Sequence, residues 1–162
     1  YENPIHDNII IKRVESAEEM HLESFSVYES SHIVIAAAAV ADYKPVNKLA
    51  EKYKKEFGIP EIALQKTKDI LADMGAAKKD QFLVGFALET NNEIDNTKSK
   101  LLEKNLDLIV LNSLNDEGAG FETNTNKVTI LSKDNKMLRF ELKSKHDVAS
   151  DIVNSILNEI DA

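Results

Sequence analysis

Apolar positions along the chain come in short runs, and the spacing within the runs changes from one to the next. Asn8-Ile-Ile-Ile-Lys-Arg-Val14 is β-branched and predicts a strand. Ser16-Ala-Glu-Glu19 then reads as a capping box, with Ser16 as cap and Glu19 reaching back, and predicts a helix to about Tyr28. His32-Ile-Val-Ile-Ala-Ala-Ala-Ala-Val-Ala-Asp42-Tyr-Lys-Pro45 opens β-branched, passes into alanines and shows no polar alternation. Such a run predicts a strand covered on both faces, as in a parallel sheet. Pro45 cannot donate to a ladder, so the strand ends before it, with Asp42 at or just past its carboxyl end. A strand, a short helix and a strand predict parallel pairing of the two runs.

The stretch from Lys44 to Lys66 is charged, holds Pro45, Gly58 and Pro60, and has no sustained period. It predicts a long loop of functional kind, a mobile basic flap with Glu51-Lys52-Tyr-Lys54-Lys55 at its centre. Lys66-Thr67-Lys68-Asp69-Ile-Leu opens a helix to about Lys79, with Thr67 as cap and Asp69 complementing the positive helix end. Phe82 to Thr90 is a buried strand in which Gly85 marks a close backbone approach. Asn91 to Asn105 is a polar helix whose Lys100 and Lys104, four apart, share a face. Leu106 to Asn112 is the next strand, and Asn112 to Asn126 is loop. Lys127–Ser132 and Met137–Leu142 alternate and predict an antiparallel hairpin. The last helix carries Val148, Ile152, Val153, Ile156, Leu157 and Ile160 on one stripe.

These elements alternate as in an α/β fold: a mostly parallel sheet with helices on both faces and a C-terminal antiparallel hairpin. At 162 residues the chain fits a single domain spanning 1–162, with the flap at about 44–66. A net charge of −8 argues against a sequence-independent grip on nucleic acid. The absence of cysteine excludes disulfides, thiolate metal sites and a cysteine nucleophile, and is compatible with a reducing compartment. No apolar run is long enough to cross a bilayer as a helix. The first residues, Tyr1-Glu-Asn-Pro-Ile-His6, include no initiator Met and do not form a signal peptide. The expectation is an N-terminally truncated piece of a longer protein.

Several chemistries have no motif here. No G-x-G-x-x-G follows a strand, no P-loop is present, and Ser-His-Asp chemistry has no elbow motif. The four histidines lack metal-ligand spacing, and no metal ligands can be assigned. What remains is a set of strand ends carrying Asp42, Phe86, Glu89 and Asn112, with lysines on a flap and a helix around them. Open α/β sheets bind ligands beyond their carboxyl ends, and this one suits a phosphate-rich ligand.

Six motifs in order sharpen the picture. They are Ala38-Ala-Val-Ala-Asp42, Lys52-x-Lys54-Lys55, Lys66-Thr67-x-Asp69-Ile70-Leu71, Gly85-Phe86-Ala-x-Glu89-Thr90, Lys104-Asn-Leu-Asp107 with Asn112, and Gly120-Phe121 before Asn126. From about Val14 to the C-terminus they resemble the bacterial phosphopantothenoylcysteine synthetases, the synthetase half of a bifunctional coenzyme A biosynthesis protein. The resemblance implies a Rossmann-like fold, a cytoplasmic homodimer and a CTP-dependent ligase acting on 4′-phosphopantothenate and cysteine through an acyl-cytidylate. Magnesium accompanies the triphosphate in that family, and a decarboxylase domain can be fused or associated. By matching motifs, Ala36, Ala37, Ala38, Asp42, Thr67, Lys68, Asp69, Ile70 and Phe86 line the nucleotide pocket. Lys100 and Lys104 hold triphosphate oxygens, and Lys52 is the flap lysine of amide formation. Lys68 stands where the family commonly has proline. The family's N-terminal segment, which contacts phosphopantothenate, has no counterpart in these residues. Two other functions remain open on the residues alone: a nucleotide-binding or dimerising module without turnover, and a nicotinamide-dependent oxidoreductase. The residues do not separate CTP from ATP.

Overall fold

The computed structural model describes residues 6–47, 51, 61–113 and 123–161. In chain order the elements are α1 (Ala17–Tyr28), β1 (Ile33–Ala36), β2 (Tyr43–Pro45), β3 (Leu64–Lys66), α2 (Ile70–Ala76), β4 (Phe82–Glu89), α3 (Glu93–Glu103), β5 (Leu108–Ser113), β6 (Thr125–Asn126), β7 (Val128–Ser132), β8 (Met137–Arg139), β9 (Lys143–Ser144) and α4 (Lys145–Ile160). The chain divides into two compact units, Tyr1–Glu29 with Ala39–Ile70, and Ser30–Ala38 with Leu71–Ala162.

In the first unit, α1 starts at the capping box. Ser16 Oγ accepts from the Glu19 N–H at 3.2 Å, and Glu19 Oε2 reaches back to the Glu15 N–H at 2.8 Å, one residue earlier than expected. Residues 9–14 are not a strand, contrary to the β-branched pattern. That pattern favours extended backbone, but a ladder also needs a partner, and no described residue pairs with this run. Ile10 is 82% exposed. The predicted loop after Lys44 has ordered ends: β2 and β3 form an antiparallel ribbon with Tyr43 opposite Lys66 and Pro45 opposite Leu64. Pro45 is thus the last residue of a two-stranded edge, a place where its missing N–H is tolerated.

In the second unit, a sheet runs in the order β1-β4-β5-β7-β8. β1, β4 and β5 are parallel, while β7 and β8 are antiparallel to their neighbours, which is the predicted α/β architecture with its C-terminal hairpin. The parallel partner of β1 is β4, not the run before α1. β1 ends at Ala36, so Asp42 lies six residues beyond it rather than at its end. β1 is also half exposed, with Ile33 at 41% and Ile35 at 45%, because among the described residues it is an edge strand.

Helices cover both faces of the sheet. Val84, Leu108, Val110, Val128 and Ile130 pack with Val148, Ile152 and Ile156 of α4. Val153, Leu157 and Ile160, expected on the same stripe, are about half exposed, because the helix buries a narrower face than its apolar pattern suggests. On the other face Gly85 is needed, since a Cβ there would fall within 2.8 Å of both Leu106 and Leu71 side chains. The predicted close approach at Gly85 is therefore made by core leucines. α2 is shorter than expected, Ile70–Ala76 rather than 67–79. Its Gly75 lies directly against the Lys104 carbonyl, and Asn105 Nδ2 donates to the Gly75 carbonyl at 3.0 Å.

At the amino end of β5 lies Asp107, 3% exposed. It accepts from Lys78 Nζ at 2.5 Å, from Lys133 Nζ at 2.7 Å and from the Leu83 N–H at 2.8 Å. These three bonds tie the turn before β4, β4 itself and the β7–β8 turn to the start of β5. Burial alone raises the carboxyl's pKa, but the hydrogen bonds from Lys133, Lys78 and Leu83 outweigh it and hold it below the ordinary aspartate value. The same contact raises the Lys133 ammonium.

Candidate functional site

The residues assigned to the nucleotide fall in both units. In the first, Asp42 is exposed, and its carbonyl accepts from the Thr67 N–H at 2.9 Å. Thr67 Oγ1 donates to the Ala41 carbonyl at 2.5 Å. Thr67 is therefore spent on the backbone beside Asp42 and does not cap α2, a correction to the reading of Thr67 as helix cap. Lys68 and Asp69 follow as exposed residues, and Ile70 is the first of α2. A cavity of about 430 Å³ opens beside Ala39–Ala41, Tyr43, Lys44 and Thr67. On its rim Lys44 Nζ meets Glu18 at 2.6 Å, which lowers the Glu18 carboxyl through that hydrogen bond.

In the second unit, Ala36 closes β1 opposite Gly85, with Ala37 and Ala38 exposed just beyond. Small exposed residues at a strand's carboxyl end leave ligand room close to the backbone. Phe86, one residue past Gly85, is half-buried and packs against the α4-facing core, so it is partly a structural residue. β4 ends at Glu89, whose Oε1 accepts from Lys100 Nζ at 2.6 Å. The Lys104 N–H donates to the Lys100 carbonyl at 3.1 Å, so the two lysines stand one turn apart, as the spacing predicted, with Lys104 as the C-cap of α3. The catalytic candidate Lys52, most of the flap and the Gly120-Phe121 motif lie outside the described residues.

Other motif residues turn out to be architectural. Asn126 Nδ2 donates to Asn112 Oδ1 at 2.8 Å and ties β6 to β5. Asn105 takes a left-handed conformation (φ 49°) that lets its side chain reach Gly75. Sequence reasoning placed Glu89 at a strand end but gave it no role. Its signal was the spacing to Lys100, which only the β4–α3 turn makes meaningful. A second cavity, of about 320 Å³, lies beside Glu93, Ser113, Lys127, Thr129 and Arg139 and includes none of the expected site residues. Among the described residues no group of three or more His, Asp or Glu is placed to hold a metal ion.

The chain matches, over residues 2–160, the family described as the DNA/pantothenate metabolism flavoprotein C-terminal domain. It belongs to that family. A curated relative from an unidentified prokaryote, named cysteine/cysteine sulfinic acid decarboxylase, is 49% identical over 155 residues, covering 95% of this chain and 43% of the relative. The coenzyme A biosynthesis bifunctional protein CoaBC of Bacillus subtilis (strain 168) is 45% identical over 143 residues, covering 88% of this chain and 35% of the relative. The chain thus spans less than half the length of these relatives. A crystal structure of the C-terminal domain of a CoaBC protein superposes with a TM-score of 0.74 at 34% identity, covering 91% of this chain and 64% of that one. The likeness to the CoaBC C-terminal domain matches the synthetase resemblance of the motifs. Among the described residues no helix is long and apolar enough to cross a membrane.

Proposed function

We propose that this domain serves the CTP-dependent joining of 4′-phosphopantothenate to cysteine. The observation that carries the reading is the Lys100 ammonium at the carboxyl end of β4, 43% exposed, one strand over from the exposed Ala37 and Ala38. A cation at a parallel strand's carboxyl end is where an α/β sheet receives phosphate. Family membership and likeness to the CoaBC C-terminal domain support this reading over the oxidoreductase one.

In the first step an oxygen of the phosphopantothenate carboxylate attacks the α-phosphorus of CTP, and the bond to the β-phosphate breaks. The products are an acyl-cytidylate and pyrophosphate. In the second, the cysteine amine attacks the acyl carbon, loses a proton and expels CMP. Lys100 and Lys104 offset the triphosphate charge; Ala36 to Ala38 and Phe86 in the second unit are assigned to the nucleotide, as are Asp42 and Thr67 to Ile70 in the first. Lys52 steadies the charge growing on the departing CMP phosphate. Magnesium enters with the triphosphate, and no step is assigned to an ion held by the described residues. A homodimer and a fused or associated decarboxylase domain belong to the same proposal, as does a cytoplasmic setting.

Calorimetric titration with CTP, ATP and NADH tests the reading, followed by a pyrophosphate assay with phosphopantothenate present. CTP binding with pyrophosphate release is expected. Nucleotide binding without release supports a module without turnover, and NADH binding alone contradicts the proposal.

A further inference from the structure

The Glu89 carboxylate is gripped by one face of α3. Oε1 accepts from Lys100 Nζ at 2.6 Å and Oε2 accepts from Asn96 Nδ2 at 3.2 Å. Asn96 is itself anchored, its Nδ2 also donating to the Asn91 carbonyl at 2.9 Å. The Glu89 side chain is 11% exposed, whereas that of Lys100 is 43% exposed. A doubly held, nearly buried acid therefore carries an accessible cation on its outer side. An ordinary surface pair fluctuates because both partners are free to move. Here one partner is fixed, so part of the lysine's rotamer entropy is lost before any ligand arrives. An ammonium has three donors, and the bond to Glu89 leaves two for an anion.

We infer that Glu89 is a positioning residue, fixing the Lys100 ammonium at the end of β4 so that it meets a polyphosphate oxygen already ordered. This deepens the nucleotide reading but depends only on the phosphate, not on the base. Two effects of the carboxylate oppose each other. It orders the cation, which favours phosphate, and it subtracts positive field, which disfavours it. The inference requires ordering to win, so removing the carboxylate must weaken polyphosphate binding rather than strengthen it.

The test is calorimetric titration of the full 162-residue chain with CTP, cytidine and inorganic tripolyphosphate. Wild type, Glu89→Gln, Glu89→Asp, Lys100→Met and the Glu89→Gln/Lys100→Met pair are compared. Glu89→Gln should weaken CTP and tripolyphosphate about fivefold when Lys100 is present and leave them unchanged when it is absent. Glu89→Asp should recover part of the loss, and cytidine should bind equally throughout, which a general structural defect would not allow. Tighter polyphosphate binding by Glu89→Gln, or equal losses in both backgrounds, overturns the inference. Coupling seen with tripolyphosphate but no CTP binding upholds it and removes the CTP reading. CTP binding without coupling does the reverse, and binding of neither ligand overturns both.

Discussion

Two carboxylates in the second unit each take a short lysine contact, at opposite ends of the parallel strands. Asp107, before β5, is buried and accepts from two lysines and a backbone N–H. Glu89, at the end of β4, accepts from one exposed lysine and one amide. At Asp107 the donors come from two turns and from β4, and of the two lysines Lys78 is 12% exposed and Lys133 57%. At Glu89 the cation faces outward with donors to spare. The same residue pairing thus serves architecture at the amino end of the sheet and, in our reading, ligand at the carboxyl end. Chemistry alone does not distinguish the two uses. Place along the strands and the number of donors do: Lys133 is 57% exposed, more than Lys100 at 43%, but Asp107 takes two lysines and a backbone N–H while Glu89 takes one lysine and one amide.

The comparison breaks most visibly at Asp107. Asp107→Asn leaves the buried Lys78 ammonium without its carboxylate and should cost about 3–5 kcal/mol in urea unfolding. The pH dependence has a defined sign. The folded-state pKa of Asp107 is lowered, so its stabilisation is fully present above the unfolded value of about 3.9. It fades as pH falls through that value toward the lowered one. The gap between wild type and Asp107→Asn should therefore close in acid and stay constant at neutral pH. A constant gap across the acid range would show that the carboxylate's charge contributes nothing. Next in size is Gly75→Ala, which drives a methyl into the Lys104 carbonyl and should cost about 1–3 kcal/mol. That carbonyl belongs to Lys104, whose side chain is assigned above to the triphosphate, so CTP affinity should fall modestly as well. A large loss of affinity would make the two ends less separable than the structure implies.

The fold was largely legible in the sequence because its signals are local. The capping box at Ser16, the apolar runs at Phe82 and Leu106, and the alternation on either side of Lys133-Asp-Asn-Lys136 each predict an element that exists. The failures share a cause: they depend on partners distant in sequence. The run from Asn8 to Val14 has strand composition but no described neighbour to complete a ladder. Thr67 has cap chemistry, but its hydroxyl and N–H are taken by Ala41 and Asp42 across a ribbon that the loop-like composition concealed. The motifs were legible as a list of residues, but not which of their side chains brace the backbone. Asn105, Asp107, Asn112 and Asn126 belong to the motifs that carry the resemblance, yet their side chains brace backbone or each other. Glu89 belongs to the same motifs and meets the exposed lysine.

The most direct measurement compares CTP with cytidine for wild type and Lys100→Glu, with urea midpoints recorded on the same samples. The account predicts that Lys100→Glu weakens CTP by at least about tenfold and leaves cytidine unchanged, while the midpoint falls less than in Asp107→Asn, because the change sets a second carboxylate beside Glu89 but leaves the Asn96 bond to it in place. Equal losses for CTP and cytidine, or a midpoint lowered as far as in Asp107→Asn, would contradict it.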